Sequence, residues 1–223
     1  MMNTTEIDRF VRGDDACRGI FQGVFSADTL PEKPRLLVGN TDPSDKPGNH
    51  WIAVFVDSTG RGEYFDSFGR KPFGIFERYM NKHCVEWIFG TRQLQSIASS
   101  YCGFYCCFYC MLRCRGFDLT RIVNLFTRDT GFNDSIVRGF VCDDGEGIPP
   151  ENSRFPQIQF LRSKHQIEPS AESRPHAEKL VVAHQSSRRD LHATRHRVSK
   201  RGRGARYEMR GGRNDVARIK RTE

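Results

Sequence analysis

The sequence predicts an α+β domain, with helices packed against a small mixed sheet, followed by a mostly disordered tail. Both tryptophans and all eight cysteines of the 223-residue chain lie at or before Cys142. A helical pattern begins this part, strand-like runs follow, and further helical patterns end it, an order typical of α+β folds. About 140 residues can bury one hydrophobic core, so we predict one folded domain over residues 1–142.

The segment 143–223 differs from this domain in charge and in apolar content. Residues 1–142 carry 17 Lys+Arg and 16 Asp+Glu, whereas the segment after them carries 18 and 11, which is +7 of the net charge of +8. Its only aromatic residues are Phe155, Phe160 and Tyr207. So few large apolar groups cannot offset the entropy that a chain loses on folding. We therefore predict a basic, mostly disordered tail over residues 143–223.

The sequence of the N-terminal part of the domain predicts a helix, a short strand and a loop. Residues Thr4–Val11 have a helical pattern, and Gly13 lies just beyond its end. The apolar run Arg35–Val38 is typical of a short strand. Residues 42–49 contain two prolines and one glycine, and these residue types favour a loop.

A β-hairpin is predicted in the middle of the domain. His50–Val56 is apolar at nearly every position, as expected of a strand buried on both faces. Asp57–Gly60 predicts a turn, and Glu63–Asp66 returns as the second strand. A helical pattern follows over residues 73–82, and Val85–Phe89 predicts a third strong strand.

The last third of the domain predicts three helices. Cys102–Arg115 has bulky apolar residues throughout and is predicted to be a core helix. Asp118 is suited to cap the next helix, because its carboxylate can accept from free backbone N–H groups. Asn133 or Asp134 is predicted to cap a last short helix through Phe140.

Composition argues against a membrane protein and against a secreted one. No apolar run is long enough to span a bilayer, and Met1–Phe10 is polar and acidic, so we expect neither a membrane partner nor a secretory signal. Without such a signal, eight cysteines favour a reducing compartment and thiol or metal chemistry over a disulfide framework. We expect an intracellular protein, in a nucleus or a virion.

The predicted hairpin places one histidine beside one carboxylate. His50 stands where the loop meets the strand, a position from which a side chain can face a cleft. Asp66 follows sixteen residues later on the adjacent strand, so its carboxylate can reach the imidazole and fix its tautomer. Asp57 is an alternative acid, but its place in an Asp-Ser-Thr-Gly turn favours a backbone role. The other histidine of the domain, His83, is interpreted as a surface residue.

A cysteine and an amide complete the candidate chemistry. Cys102 begins the core helix, whose free N–H groups and dipole favour a thiolate over a thiol. Gly103, behind the sulfur, would let a substrate backbone approach. Gln95 stands seven residues before the cysteine and can donate to a developing oxyanion beside the Cys102 N–H, an interaction worth about 3–4 kcal/mol in a transition state. A buried cysteine without a catalytic role is the alternative for Cys102 taken alone.

Three segments of the domain carry a family resemblance: Gly48–Trp51, Tyr64–Gly69 and Gln95–Cys107. They resemble the adenovirus protease family, adenain, and more distantly the ubiquitin-like-protein proteases that share its papain-like fold. The resemblance covers roughly residues 1–142 and no part of the tail. It implies a cysteine-type endopeptidase whose catalytic residues follow the order His50, Asp66, Gln95 and Cys102.

The resemblance also implies substrates and partners. Proteases of this kind process precursor proteins of viruses or of virus-like DNA transposons, often after glycine, and we predict no cofactor and no metal. One position departs from the pattern, because adenain has Glu as the acid while Asp66 is the choice of the ubiquitin-like-protein proteases. Adenain tethers an activating peptide through a cysteine placed similarly to Cys84. A buried cysteine is the favoured interpretation here, and an activating peptide is left open.

Four cysteines on the core helix raise a competing metal hypothesis. They recur at every fourth residue and so stay near one helix face: Cys102, Cys106, Cys110 and Cys114. A straight helix cannot surround one ion tetrahedrally, so Cys84 or Cys142 would have to complete such a site. We favour small, polarizable side chains packed against the sheet as the interpretation of Cys106, Cys107, Cys110 and Cys114.

Basic runs in the tail leave nucleic-acid binding open: Arg188-Arg189, Arg195–Arg197 and Lys200–Arg206. Such runs contact phosphates without sequence preference and with strong salt dependence. Two other functions therefore stand beside the endopeptidase. One is a ubiquitin-like-protein deconjugating hydrolase with the same catalytic residues. The other is a catalytically inactive protein that binds nucleic acid through its tail.

Overall fold

A computed structural model of the protein describes residues 1–142, 206–211 and 215–222. These residues form five helices and seven strands. The helices are α1 (Thr4–Arg12), α2 (Gly74–His83), α3 (Cys102–Cys114), α4 (Leu119–Asn124) and α5 (Thr130–Cys142). The strands are β1 (Phe21–Phe25), β2 (Leu36–Asn40), β3 (Trp51–Val56), β4 (Arg61–Phe65), β5 (Glu86–Gly90), β6 (Arg206–Gly211) and β7 (Val216–Thr222).

The seven strands form one mixed sheet in the order β1-β2-β3-β4-β5-β7-β6. The pairs β1–β2 and β4–β5 are parallel, and the other neighbours are antiparallel. The predicted hairpin is present as β3 and β4. A mixed sheet with packed helices confirms the predicted α+β class, and β1 is a strand that the sequence analysis did not predict.

Strand β3 is buried on both faces, as predicted. Trp51 and Ala53 pack in the hydrophobic cluster that contains α3, whereas Ile52 and Val54 pack in the cluster that contains α2. This alternation follows from the strand geometry, in which successive side chains point to opposite faces. Ten of the 13 residues of α3 are buried, so this helix is central to the first cluster and carries its N-terminus to the edge of the core.

Strands β6 and β7 lie within the segment that the sequence analysis predicted to be mostly disordered. β7 extends the sheet beside β5, and β6 pairs with β7. Ala217 and Ile219 are buried in one cluster with Trp87, while Arg218 and Lys220 are exposed, which is the two-residue period of a half-buried strand. The low apolar content averaged over the whole tail hid this short pattern. The rest of the tail, including the basic runs before β6, lies outside the described residues.

The last helix of the domain begins earlier than predicted. Asp129 directly precedes α5 and accepts a hydrogen bond from the Phe132 N–H at 3.0 Å, so Asp129 is the cap. The prediction that Asn133 or Asp134 caps this helix is therefore wrong. Both side chains are buried within α5, because they bind a neighbouring loop. Among the described helices, none is long and apolar enough to cross a bilayer.

Candidate active site

His50 and Asp66 are in direct contact. The His50 Nε2 lies 2.8 Å from the Asp66 Oδ1, and the two side chains are 11% and 4% exposed. The same Oδ1 accepts the Phe68 N–H at 2.8 Å, which fixes the carboxylate. The Phe68 ring packs against the imidazole, with 5.0 Å between the ring centroids. The imidazole is therefore held in one orientation by a carboxylate and an aromatic ring.

The turn after β4 places this carboxylate. Asp66 directly follows β4, which pairs with β3, and the chain then turns so that the Gly69 N–H donates to the Asp66 carbonyl at 2.9 Å. Gly69 has a φ of +67°, and a Cβ at this position would lie 2.5 Å from the carbonyl carbon of Arg92. Only glycine allows both this conformation and this approach. The turn consequently packs directly against the segment that carries Gln95.

Cys102 is the first residue of α3, and its side chain lies close enough to His50 to influence the protonation of the imidazole. Cys102 is 2% exposed. Because the His50 Nε2 faces Asp66, the ring nitrogen that remains for the sulfur is Nδ1. The described structure has no side-chain cap at Tyr101, so the N–H groups of the first turn are available to negative charge. The fold thus brings together Asp66, His50 and Cys102 in an unbroken chain of contacts.

Burial and two neighbours set the protonation of His50. Burial has the largest effect and disfavours the charged ring, but the hydrogen bonds and charges of Asp66 and Cys102 outweigh it. Together they raise the pKa of His50 from its ordinary value of 6.5 to about 9. The imidazole is therefore charged at neutral pH. A charged imidazole at this position can donate a proton to a group that reacts beside it.

The Gln95 side chain is buried and is hydrogen-bonded at both ends. Its Oε1 accepts the Ser67 hydroxyl at 2.7 Å, and its Nε2 donates to the Ser99 carbonyl at 2.9 Å. The backbone N–H groups of Leu94 and Gln95 both donate to the Ser67 carbonyl. Ser67 follows Asp66 in the chain, and Ser99 lies in the loop that leads into α3. These contacts tie Gln95 to both halves of the site.

Side chains from α3 and α5 support the segment that carries Gln95. The Leu94 carbonyl accepts the Asn133 Nδ2 at 3.0 Å and lies 3.0 Å from the Tyr105 hydroxyl. That hydroxyl is 2.9 Å from the Asp134 Oδ1, which also accepts the Ser96 N–H at 3.4 Å. Asn133 and Asp134, expected to be capping residues, therefore hold the loop before α3 in place.

Gly103 has a packing role, where the sequence analysis expected room for a substrate backbone. A Cβ at this position would lie 3.0 Å from the Met2 Cβ, 3.2 Å from the Ile7 Cδ1 and 3.4 Å from the Trp51 Cδ1. Trp51 is fixed there by a 2.9 Å hydrogen bond from its Nε1 to the Met2 carbonyl. Glycine allows α1 and β3 to close around the first turn of α3, which sets the position of Cys102.

The residues that were weighed as alternatives make their contacts elsewhere. The Asp57 Oδ1 accepts both the N–H and the hydroxyl of Thr59, as expected of a turn residue. Cys84 is 3% exposed, and burial foremost, with the Asp57 charge, raises its pKa to about 12. The ring of His83 packs on Tyr79, with 4.6 Å between centroids.

The other cysteines of α3 are core residues. Cys106, Cys107 and Cys110 are at most 1% exposed, and Cys114 is half-buried. Burial is the largest of the effects that raise the pKa of Cys106. Within the described residues, no group of three or more His, Cys, Asp or Glu side chains is placed to hold a metal ion. Their place in the core agrees with the packing interpretation.

Sequence reasoning missed the residues that orient the site. Ser67 and Phe68 lie inside the Tyr64–Gly69 segment, but no pattern in that segment indicates which partner each side chain meets. Ser99 lies within the Gln95–Cys107 segment, and its sequence context likewise does not indicate its contact with Gln95. The contacts of these residues join parts of the chain that are distant in sequence, such as Ser67 and Gln95.

A thiol, a charged imidazole, a carboxylate and a buried amide in this arrangement are the chemical equipment of cysteine-nucleophile enzymes. One curated relative is the Cysteine protease S273R of African swine fever virus, isolate Tick/Malawi/Lil 20-1/1983. It is 48% identical over 46 residues, which cover 19% of this chain and 17% of that protein. This segment relates the chain to a viral cysteine protease.

The crystal structure of the African swine fever virus pS273R protease matches with a TM-score of 0.45 and 23% identity, over 60% of this chain and 64% of that chain. The chain thus spans less than two thirds of the length of either relative. No family model matches the chain.

Proposed function

We propose that this chain is a cysteine endopeptidase in which Cys102 is the nucleophile and His50 the general base and acid. Asp66 orients His50, and Gln95 donates to the oxyanion. The observation that carries the proposal is the continuous contact from Asp66 through the His50 ring to Cys102, with 2.8 Å between Nε2 and Oδ1. The segment similar to a viral cysteine protease supports the same chemistry.

Acylation begins with a Cys102 thiolate beside the charged His50. The sulfur attacks the carbonyl carbon of the scissile peptide bond, a C–S bond forms, and the carbonyl π electrons move to the oxygen. As this intermediate collapses, the C–N bond breaks and His50 gives its proton to the leaving amine. The products are an acyl-thioester on Cys102 and the free amine of the downstream peptide.

Deacylation reverses the role of the histidine. Neutral His50 takes a proton from a water molecule, whose oxygen attacks the thioester carbon. The C–S bond then breaks, which restores the Cys102 thiolate and the charged His50 and leaves a carboxylic acid that loses its proton to solvent. Asp66 keeps hold of Nε2 throughout, so that Nδ1 faces the reacting atoms in both steps.

Both steps place negative charge on the substrate carbonyl oxygen. The donors available for it are the Cys102 N–H at the start of α3 and the Gln95 Nε2. Loss of one such donor typically costs about 10²–10³-fold in kcat. The amide and the backbone N–H come from rigid, buried elements, which favours donors that are already in position when the charge develops.

Peptidase chemistry implies protein substrates. We extend the proposal to precursor proteins of a virus, cut after small residues such as glycine, on the strength of the resemblance to the adenovirus protease family. The connected side chains of the site favour catalysis over an inactive protein that acts only through its tail.

Labelling and cleavage by matched cysteine variants test the proposal. Iodoacetamide with mass mapping should modify Cys102 faster than the exposed Cys142, and a peptide with a Gly-Gly bond should be cut. Cys102→Ala should abolish both activities. Cys106→Ala, which removes a buried thiol one turn further along α3, should retain both. Fast labelling that persists in Cys102→Ala and vanishes in Cys106→Ala would reassign the nucleophile.

The choice of substrate separates peptide cleavage from deconjugation. An endopeptidase should turn over the short peptide at least as well as a fluorogenic ubiquitin-like protein. A strong preference for the ubiquitin-like substrate would instead favour a deconjugating hydrolase with the same catalytic residues.

A further inference from the structure

Ser67 is a buried serine that the proposed mechanism leaves without a role. It is 1% exposed, as is Gln95. Its hydroxyl lies 2.7 Å from the Gln95 Oε1, and its carbonyl accepts the Gln95 N–H at 3.1 Å. Its chain neighbour Asp66 holds His50. Two consecutive residues thus contact the general base and the oxyanion donor of the proposed reaction.

The orientation of the Gln95 amide follows from its two partners. An amide has one end that donates and one that accepts, and a rotation by half a turn exchanges them. The Ser99 carbonyl can only accept, so the atom 2.9 Å from it is the amide nitrogen. The amide oxygen then faces Ser67, whose hydroxyl must be the donor. The two serines on opposite sides therefore select one orientation.

In this orientation the amide nitrogen keeps one hydrogen for another acceptor. The first hydrogen goes to the Ser99 carbonyl at 2.9 Å, and the second makes a longer contact of 3.2 Å with the Ser99 Oγ. The Ser99 hydroxyl also has the Ser96 carbonyl as a partner at 3.2 Å, so it does not depend on Gln95. A charged oxygen is a stronger acceptor than a hydroxyl and can take over the second hydrogen.

We propose that Ser67 is a positioning residue whose hydroxyl holds the Gln95 amide with its nitrogen available to the oxyanion. This inference rests on the proposed function. Without the hydroxyl, the Gln95 Oε1 is a buried acceptor that has lost its partner, a state that is costly. The amide is then held only through its nitrogen and can shift from this position. The developing charge then loses one donor, while Cys102 and His50 keep their places.

Two reactions of Cys102 distinguish this role from a general structural one. Peptide cleavage passes through an oxyanion, whereas alkylation by iodoacetamide does not. Ser67→Ala should lower kcat for cleavage by about 10–100-fold, part of the loss expected for a whole donor, with little change in KM. Its rate of Cys102 alkylation should stay at the wild-type value. Ser135→Ala, which removes an exposed hydroxyl bonded to the Gly131 carbonyl, is the matched control and should change neither reaction.

A double-mutant cycle tests whether Ser67 acts through Gln95. Gln95→Ala should lower kcat at least as much as Ser67→Ala, and adding Ser67→Ala to Gln95→Ala should cause no further loss. Losses that multiply in the double variant would overturn the inference, because Ser67 would then act by another route. Wild-type cleavage by Ser67→Ala would overturn it directly.

A second variant of Ser67 and the activity of the wild-type protein complete the test. If Ser67→Ala loses its folded circular dichroism spectrum, Ser67→Cys takes its place, because a thiol is of similar size and a weaker donor. Slow cleavage with unchanged Cys102 alkylation in Ser67→Cys supports the inference, and wild-type cleavage overturns it. A wild-type protein that neither cleaves peptide nor alkylates rapidly at Cys102 would instead contradict the proposed function itself.

Discussion

Cys102 and Cys110 lie two turns apart on one helix, and although both are buried, they differ in backbone position and in neighbouring side chains. Cys102 begins α3, where the first turn has no side-chain cap, and its neighbour is the His50 imidazole. Cys110 is fully buried in the core, where burial foremost, with the charges of Cys107 and Cys17, raises its pKa. Position along the helix and the identity of the neighbour, rather than the residue type, decide which thiol can act as a nucleophile.

The surroundings of Cys102 and Cys110 differ because the first turn and the middle turns of α3 lie in different parts of the domain. α3 carries most of its side chains into the cluster under the sheet, so the cysteines of its middle turns lie among buried apolar side chains and other cysteines. Its first turn reaches the end of β3 and the turn after β4, where the polar side chains of His50 and Asp66 stand. A single helix therefore serves both as the central element of the core and as the support of the candidate nucleophile.

Removal of the His50 imidazole should have the largest effect, because it removes the neighbour that distinguishes Cys102 from Cys110. In His50→Gln, cleavage should fall by about 10²–10⁴-fold, since general acid–base catalysis is lost. Alkylation of Cys102 should slow toward the rate of the exposed Cys142. His83→Gln, a substitution of the same type away from the site, should leave both rates unchanged. Rapid alkylation of Cys102 in His50→Gln would show that the helix N-terminus alone activates the sulfur.

The pH dependence of cleavage should report the charge on the imidazole. The pKa of His50 is raised to about 9, so the charged form is present at neutral pH and activity should fall as the pH rises through that value. Asp66→Asn removes the carboxylate charge that favours the imidazolium, so the fall should move to lower pH. The pH profile of kcat/KM checks this shift, with Asp57→Asn as the control. If the pH profile of Asp66→Asn is the same as that of the wild type, the role given to the carboxylate is contradicted.

Substitution of the buried Cys110 should have the smallest effect on cleavage. It should have a clear effect on the stability of the fold. Cys110→Ser places a hydroxyl in the core and should lower the free energy of unfolding by about 1–3 kcal/mol, measured by urea denaturation, while cleavage persists in the folded protein. Cys102→Ser should show the reverse, with cleavage lost and a smaller decrease in the free energy of unfolding, because the new hydroxyl lies beside the polar His50 side chain. Equal losses of stability in the two variants would remove the distinction between core and site.

Local patterns were sufficient to predict the contact at the centre of the site. The apolar run before the Asp-Ser-Thr-Gly turn and the return strand after it form the predicted hairpin, and this hairpin brings Asp66 close to His50. The start of α3 at Cys102 also followed from the sequence, because a long apolar run begins there. Periodicity and turn residues act over a few positions, so they carry information of this kind.

Contacts between distant segments could not be predicted in the same way. Ser67 and Gln95 meet because Gly69 lets one turn approach the backbone of Arg92, and that approach depends on the packed position of both segments. The buried strand β7 escaped prediction because its period-two pattern is short and lies within a basic, apolar-poor tail. Its place in the sheet depends on pairing with β5 and on packing beside Trp87, neither of which the sequence of β7 displays.

The sequence by itself determined the fold class, the hairpin and the residue types at the candidate site, since these follow from side-chain polarity and its period along the chain. Only the tertiary structure decided which nitrogen of His50 faces the sulfur, which end of the Gln95 amide faces Ser67, and that α5 supports the loop before Cys102. The physical reason is that hydrogen bonds have direction and short range. Their partners are therefore settled only when packing has brought distant segments within about 3 Å of each other.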